Sequence, residues 1–287
     1  MTSGPSDALP PVCAAELLSG RPVLLSERTR ETFLAKLGSV FGRIKVLQSE
    51  ESALRLALEE HPLAREDGGS APAVFMFLSS AAKECAADSL SSMQSLETSL
   101  SQTWDWAEAR EVAMNSPHCL RVMDHAAGTV EAAKRISLFQ RILHMLLLEA
   151  PCAALHFPES QRLVSPDDFL ANVPETQSYY PLLGLVNVRL FTIQGSRYAM
   201  LMDTLGMRVF GLPDLQCYCR GLDPYNLSSW LYSVALYVTG NSAAIRDGDT
   251  IGGLDNANWS LRYEESLVPP DRPVIAVHAG EHDALGK

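Results

Sequence analysis

Four histidines and their acidic neighbours are the residues of this chain best suited to chemistry. His118 precedes an apolar run, Cys119 to Met123, and Asp124 and His125 close it. On a strand these positions fall at the two ends, where loops commonly carry ligand contacts. An Asp–His pair can orient a proton-transfer group, because imidazole titrates near neutrality. His156 alternates with Ala154 and Pro158 in the run CAALHF, and Glu159 and Ser160 follow it. Adjacent positions do not make a triad, which geometry alone defines. A ligand-binding His–Glu–Ser cluster and plain loop polarity are both compatible with this segment. His144 reads as a solvated residue on the polar edge of a helix.

Two further groups could hold a metal. Cys217 and Cys219 are spaced i, i+2, which places both thiols on one face of a strand. A tetrahedral zinc site needs about two more ligands, and there is no second CxC or CxxC. Paired small core residues is the competing reading. Asp247 and Asp249 flank Gly248 ahead of Gly252 and Gly253. Close aspartates suit a hard cation, but an EF-hand's ligand periodicity and closing glutamate are absent. A polar hairpin turn explains the same residues. No GxGxxG, Walker lysine motif, HExxH or GxSxG occurs, and no cofactor is expected.

The surrounding elements form an α+β pattern. Strands are expected at 22–25, 44–47, 73–78, 119–123 and 152–157. Helices are expected at 31–37, 53–58, 104–114 and, most clearly, 129–148, where Ile136, Phe139, Ile142, Leu143 and Leu146 recur at helical spacing. The run AVFMFL at 73–78 reads as a central strand buried on both faces. Pro158, Pro166, Pro174 and Pro181 mark a connector. Beyond it, strands are expected at 182–193, 207–210, 215–219, 251–254, 259–263 and 274–277, with a helix at 226–238. Residues 198–204 fit strand or helix. Tyr179, Tyr180, Trp230, Tyr232 and Tyr237 supply aromatic surface for core packing or for a protein partner. The expected organisation is a flexible arm at 1–20, an α+β domain at 21–174 and a second at 175–280. Sheets are mixed or antiparallel with packed helices, and the layout allows two similar ferredoxin-like halves.

Composition narrows the classes. The chain has 287 residues, 23 Lys and Arg against 34 Asp and Glu, and a net charge of -11. Such a balance argues against wrapping nucleic acid, which needs a dense basic surface. No signal peptide or membrane-length apolar run is evident. Six cysteines in a chain this long fit a reducing compartment better than a secreted disulfide scaffold, so a cytoplasmic location is expected.

Three segments carry a family resemblance: TLGMRVFGLPDLQCYC at 204–219, LYVTG at 236–240 and DGDTIGG at 247–253. Together they resemble the DUF4261 family, whose members have no assigned chemistry. Asp214 stands where such proteins often carry Glu, and Phe157 in PCAALHFPES stands where they often carry Trp. NSPHCLRV at 115–122 is similar to a region where the family often has two histidines; here His118 remains and Arg121 stands near the second. The resemblance implies a bacterial cytoplasmic protein with an immunity or accessory role near toxin-delivery systems. Three functions follow as expectations. The first is a noncatalytic protein-interaction or accessory protein with a protein partner of unspecified identity and oligomeric state. The second is a small-molecule-binding protein or hydrolase with a site near His118, Asp124, His125, His156 and Glu159. The third is a metal-binding protein using Cys217 and Cys219.

Overall fold

The computed structural model describes residues 12–22, 27–65, 67–81, 96–125, 131–173, 182–241, 245–254 and 256–283. Residues 23–25 of the expected strand at 22–25 and the Tyr179–Tyr180 pair lie outside them. The fold is α+β with mixed and antiparallel sheets. It divides into two compact units, Met1–Leu185 and Val186–Lys287, later in the chain than the expected boundary at 174.

The first unit is a seven-stranded antiparallel sheet in the order β2-β3-β4-β5-β1-β6-β7. Its strands are β1 (Ala14–Ser19), β2 (Ile44–Ser49), β3 (Ala53–Ala64), β4 (Ser70–Ala81), β5 (His118–Asp124), β6 (Ala154–Phe157) and β7 (Arg162–Val164). β1 falls within the expected N-terminal arm, yet it is enclosed between β5 and β6. Because it runs antiparallel to both, β5 and β6 are parallel to each other without touching. The long helix α4 (Ala132–Glu149) connects them.

One face of this sheet is covered by α4 and by α1 (Glu27–Phe41). Ile136, Phe139, Ile142, Leu143 and Leu146 of α4 are fully buried, each stabilising by about 1.5–3 kcal/mol relative to exposure. Phe33 of α1 meets Phe77 edge-on at 5.5 Å between ring centres. The opposite face carries α2 (residues 96–101) and α3 (Ala109–Met114). Leu100, Ala109 and Ala113 pack there against Leu18, Cys119, Ala154 and Leu163. A short helix, α5 (Pro166–Asn172), is capped by Ser165, whose hydroxyl accepts from the Asp168 N–H at 3.1 Å.

Two expectations are corrected here. Residues 53–58 are strand, not helix: Leu54, Leu56 and Leu58 alternate onto the α1 face and are fully buried. β4 is not buried on both faces. Ala73, Phe75 and Phe77 are buried, while Val74, Met76 and Leu78 are half-buried on the other side.

The second unit is a six-stranded sheet in the order β11-β12-β13-β10-β9-β8. Its strands are β8 (Asn187–Thr192), β9 (Ala199–Leu205), β10 (Asp214–Arg220), β11 (Thr250–Gly252), β12 (Asn258–Glu265) and β13 (Pro273–His278). β10 and β13 are parallel, the chain between them running through α6 (Pro224–Asn241) and then β11 and β12, and the other pairs are antiparallel. Met207–Phe210, expected as a strand, is a 3-10 turn entered through Gly206 at φ 120°. Leu227, Leu231, Val234, Ala235 and Val238 form the buried stripe of α6. Trp230 leans on the fully buried Trp259 at 4.8 Å and donates to the Gly252 carbonyl at 2.9 Å. A side chain on Gly253 would place its Cβ 2.2 Å from that indole, which explains glycine there.

Candidate functional site

Strand pairing alone sets the first cluster. Arg121 of β5 lies opposite Glu16 of β1, and Glu16 lies opposite His156 of β6. All three point to the face covered by α2, which adds Ser99. His156 Nδ1 is 2.8 Å from Glu16 Oε2, and His156 Nε2 is 2.9 Å from Ser99 Oγ. Arg121 grips the other oxygen, Oε1, from Nε at 3.0 Å and also from Nη2. If Nδ1 carries the proton toward the carboxylate, Nε2 accepts from the serine hydroxyl, which is the serine–histidine–acid order of nucleophilic hydrolases. Burial pushes the Glu16 carboxyl up, but the bond and charge of His156, with the Arg121 guanidinium, hold it below the usual range.

Access separates this cluster from a working nucleophile. Ser99 is 0% exposed, His156 1% and Glu16 5%. Ser99 precedes Leu100 of the Leu18–Leu100–Ala154 core and is itself closed to solvent in this conformation.

The other nominated residues go elsewhere. Asp124 accepts from the Cys13 N–H at 2.8 Å, and its second oxygen lies 3.1 Å from Arg135 Nε of α4. This buried pair ties β5, β1 and α4 together. Burial pushes the Asp124 carboxyl up against the pull of Arg135. The same burial, with the Asp124 charge, pushes the Cys13 thiol up to about 12. His118 and Asp124 stand at opposite ends of β5, about 20 Å apart along an extended strand. His125 is exposed just beyond it, and Glu159 is exposed as well. Ser160 is buried and donates to the Gly184 carbonyl at 2.5 Å. The structure therefore brings His156 to a serine and a glutamate, but not to Ser160 and Glu159, and not to His118, Asp124 or His125.

Cys217 and Cys219 are both fully buried in β10, thiol against thiol; the hydrogen bond that Cys217 gives to Cys219, with burial, pushes the Cys217 thiol up. Asp247 accepts from the Tyr263 N–H at 3.0 Å and Asp249 from the Arg246 N–H at 2.7 Å, so both close the turn before β11. Among the described residues, no group of three or more His, Cys, Asp or Glu is placed to hold a metal ion. Cys119 is buried and disulfide-bonded, against the expectation that the cysteines are reduced. Among the described residues no helix is long and apolar enough to cross a membrane.

The second unit holds two polar clusters that the sequence reading did not nominate. Arg189, Asp203 and Gln216 form one row across β8, β9 and β10. Asp203 binds Arg189 Nε at 2.9 Å and Nη2 at 2.5 Å, and Arg272 Nη2 at 2.8 Å. Arg272 Nε reaches Asp214 at 2.7 Å. The β12–β13 connection is drawn onto this row: Arg189 donates to the Pro269 carbonyl, and Gln216 accepts from the Leu267 N–H at 2.8 Å. Beside it, His278 stands between two carboxylates, Glu264 on Nε2 and Asp283 on Nδ1, both at 2.9 Å. Gln216, Tyr218, Leu267 and Ala276 complete the walls of a small groove there.

Burial disfavours the His278 cation, but its bonds to Asp283 and Glu264 outweigh that and raise its pKa above 6.5. A raised folded pKa stabilises below the unfolded value and is lost as pH rises through the folded one. His278→Gln is therefore expected to lower the melting temperature at pH 6. The gap to wild type should shrink toward pH 9, as read by thermal scans across that range.

Two α+β units, each with a buried carboxylate–arginine cluster, define the class of molecule. Residues 203–278, the C-terminal part, carry the domain described as Domain of unknown function (DUF4261). That segment runs from Asp203 to His278 and so takes in Asp214, Gln216, Glu264 and Arg272. No curated protein matches the chain, and no solved structure does.

Proposed function

We propose that this chain is a noncatalytic protein-interaction protein, of the accessory or immunity type, working in the cytoplasm. The supporting observation is where its reactive residues are spent. Glu16, Asp124, Asp203 and Asp214 are each buried against an arginine, and His156 is enclosed by Glu16 and Ser99. Such groups specify how strands and helices fit together. The surface left to the outside is acidic overall, with exposed Tyr198, Tyr225 and Tyr237. Free thiols at Cys13, Cys152, Cys217 and Cys219 fit a reducing compartment, while the Cys119 disulfide pulls the other way. Two similar ferredoxin-like halves remain part of the proposal, supported by a strand meander and one long crossover helix in each unit.

The full chain, used as bait in native cell extract, is expected to retain one specific partner. That partner should also bind the purified chain, and Tyr225→Ala with Tyr237→Ala or Tyr198→Ala should weaken it. Recovery of no specific partner across several salt concentrations would overturn the reading.

The Ser99–His156–Glu16 order supports a second reading, a serine hydrolase whose site opens. A fluorophosphonate probe decides it. Labelling of wild type that is lost in Ser99→Ala and in His156→Gln is the expected result under that reading; an unlabelled wild type sinks it.

A further inference from the structure

The longer of the two edge strands in the first sheet is β2. It closes one edge of the seven-stranded sheet and, among the described residues, pairs with β3 alone. Such an edge offers unpaired N–H and C=O groups to another strand. Its exposed side chains are mixed: Val46 is 43% exposed and Leu47 44%, beside the exposed charges of Arg43, Lys45 and Glu50.

The backbone directions follow from two hydrogen bonds. The Glu59 N–H donates to the Arg43 carbonyl, and the Glu50 N–H to the Ala53 carbonyl. Antiparallel pairing alternates inward and outward groups. Arg43 and Lys45 therefore face β3 through their backbones, while Ile44 and Val46 turn theirs outward. The register shifts between Val46 and Gln48, so Leu47 is an inserted residue. Beyond it, Gln48 and Glu50 face β3 and Ser49 faces outward. The outward positions are thus Ile44, Val46 and Ser49.

We propose that β2 pairs with β2 of a second copy of this chain, antiparallel, about a two-fold axis between Val46 and Leu47. That axis sets Ile44 against Ser49 of the other copy, so that outward backbone groups meet outward groups. The inserted Leu47 is what makes this match possible, since Ile44 and Ser49 would otherwise have opposite orientation. Val46 meets Leu47, which covers the apolar pair. Lys45 meets Gln48. One residue further out, Arg43 meets Glu50, and symmetry makes that contact twice.

Both charged residues are available. The Arg43 side chain is 77% exposed, with Glu60 at 3.4 Å and Glu59 at 3.9 Å as its loose partners. Glu50 is exposed and takes a bond from Gln48. Arg30 holds the Glu50 carbonyl at 2.8 Å and the Ser49 hydroxyl at 3.0 Å, which fixes the end of the strand. Opposite charges directly across strands add roughly 0.2–1 kcal/mol, and like charges subtract. A six-residue edge is a small interface, so the dimer is weak and the charges set its register.

Sedimentation velocity of the full chain, from about 5 to about 500 µM, tests this; the expected dimer has a Kd of about 10–100 µM. Arg43→Glu is expected to raise the Kd about tenfold, because it opposes Glu50 with a like charge at both ends. Glu50→Arg should do the same. The double variant Arg43→Glu with Glu50→Arg restores the attraction and should return the Kd to within about threefold of wild type. These residues are exposed, so folding is preserved, and circular dichroism checks it. Val46→Lys provides a second disruption at the axis. A monomer throughout the range overturns the proposal. So does a dimer indifferent to Val46→Lys, or one that the charge swap fails to rescue.

Discussion

Asp203→Ala is expected to destabilise the second unit by about 3–5 kcal/mol, the range for breaking a buried ion pair from one side. Asp203 is 0% exposed and takes three charge-assisted bonds from two arginines. Without it, the Arg189 guanidinium stays buried at 2% exposure with a neutral carbonyl in place of its carboxylate. Arg272 suffers less, because Asp214 and the Thr204 carbonyl still hold it. The cost should therefore fall largely on Arg189. Removing that charge as well, in Asp203→Ala with Arg189→Leu, should cost less than the two single changes summed. Urea unfolding followed by hydrogen exchange over 186–283 separates this unit from the first. A loss under about 1 kcal/mol for Asp203→Ala would show that water reaches Arg189.

Glu16→Ala should cost the first unit about 2–4 kcal/mol, because it strands His156 Nδ1 and half of the Arg121 interaction in one step. Arg121 is partly exposed and can rehydrate, which places the effect below that at Asp203. The pH dependence has a definite sign. The Glu16 pKa is lower folded than its ordinary 4.5. Its contribution is therefore complete above that value and is lost as pH falls through the folded one. The stability gap between wild type and Glu16→Gln should narrow between pH 5 and pH 3, measured by denaturant titration at each pH. A gap that widens on acidification would assign the low pKa elsewhere.

How far the sequence led depended on the kind of signal. α4 was legible because eighteen residues repeat their apolar face at helical spacing without ambiguity. β3 was not, because Ala53, Leu54, Leu56, Ala57 and Leu58 satisfy both a helical stripe and a two-residue alternation. β1 was hidden by Glu16: an acid in the middle of a short apolar run reads as surface, unless its arginine and histidine are known to lie on either side. The alternation in CAALHF drew notice to His156 as a polar residue of interest, but not to its burial. Its partners were not legible, since Glu16 and Ser99 lie 140 and 57 residues away and nothing local announces them. Asp203 and Arg189 failed to attract notice for the same reason: each looks like an ordinary strand charge until pairing lays them side by side. The family resemblance found the right part of the chain, but it came without chemistry to attach to these residues.

The position of β1 also bears on how the chain is made. Its partners on the two sides, Arg121 and His156, come 105 and 140 residues after Glu16. At about 5–20 residues per second, synthesis leaves β1 without its second neighbour for roughly seven to thirty seconds. Until β5 is made, its apolar run, Ala14 to Leu18, is an unpaired strand carrying a single charge, and until β6 follows one side of it stays open. β2, β3 and β4, joined by tight turns, can assemble meanwhile from local contacts. The first strand to leave the ribosome is thus among the last to be enclosed, and holding it soluble in the interval is a demand that falls on the cell's chaperones.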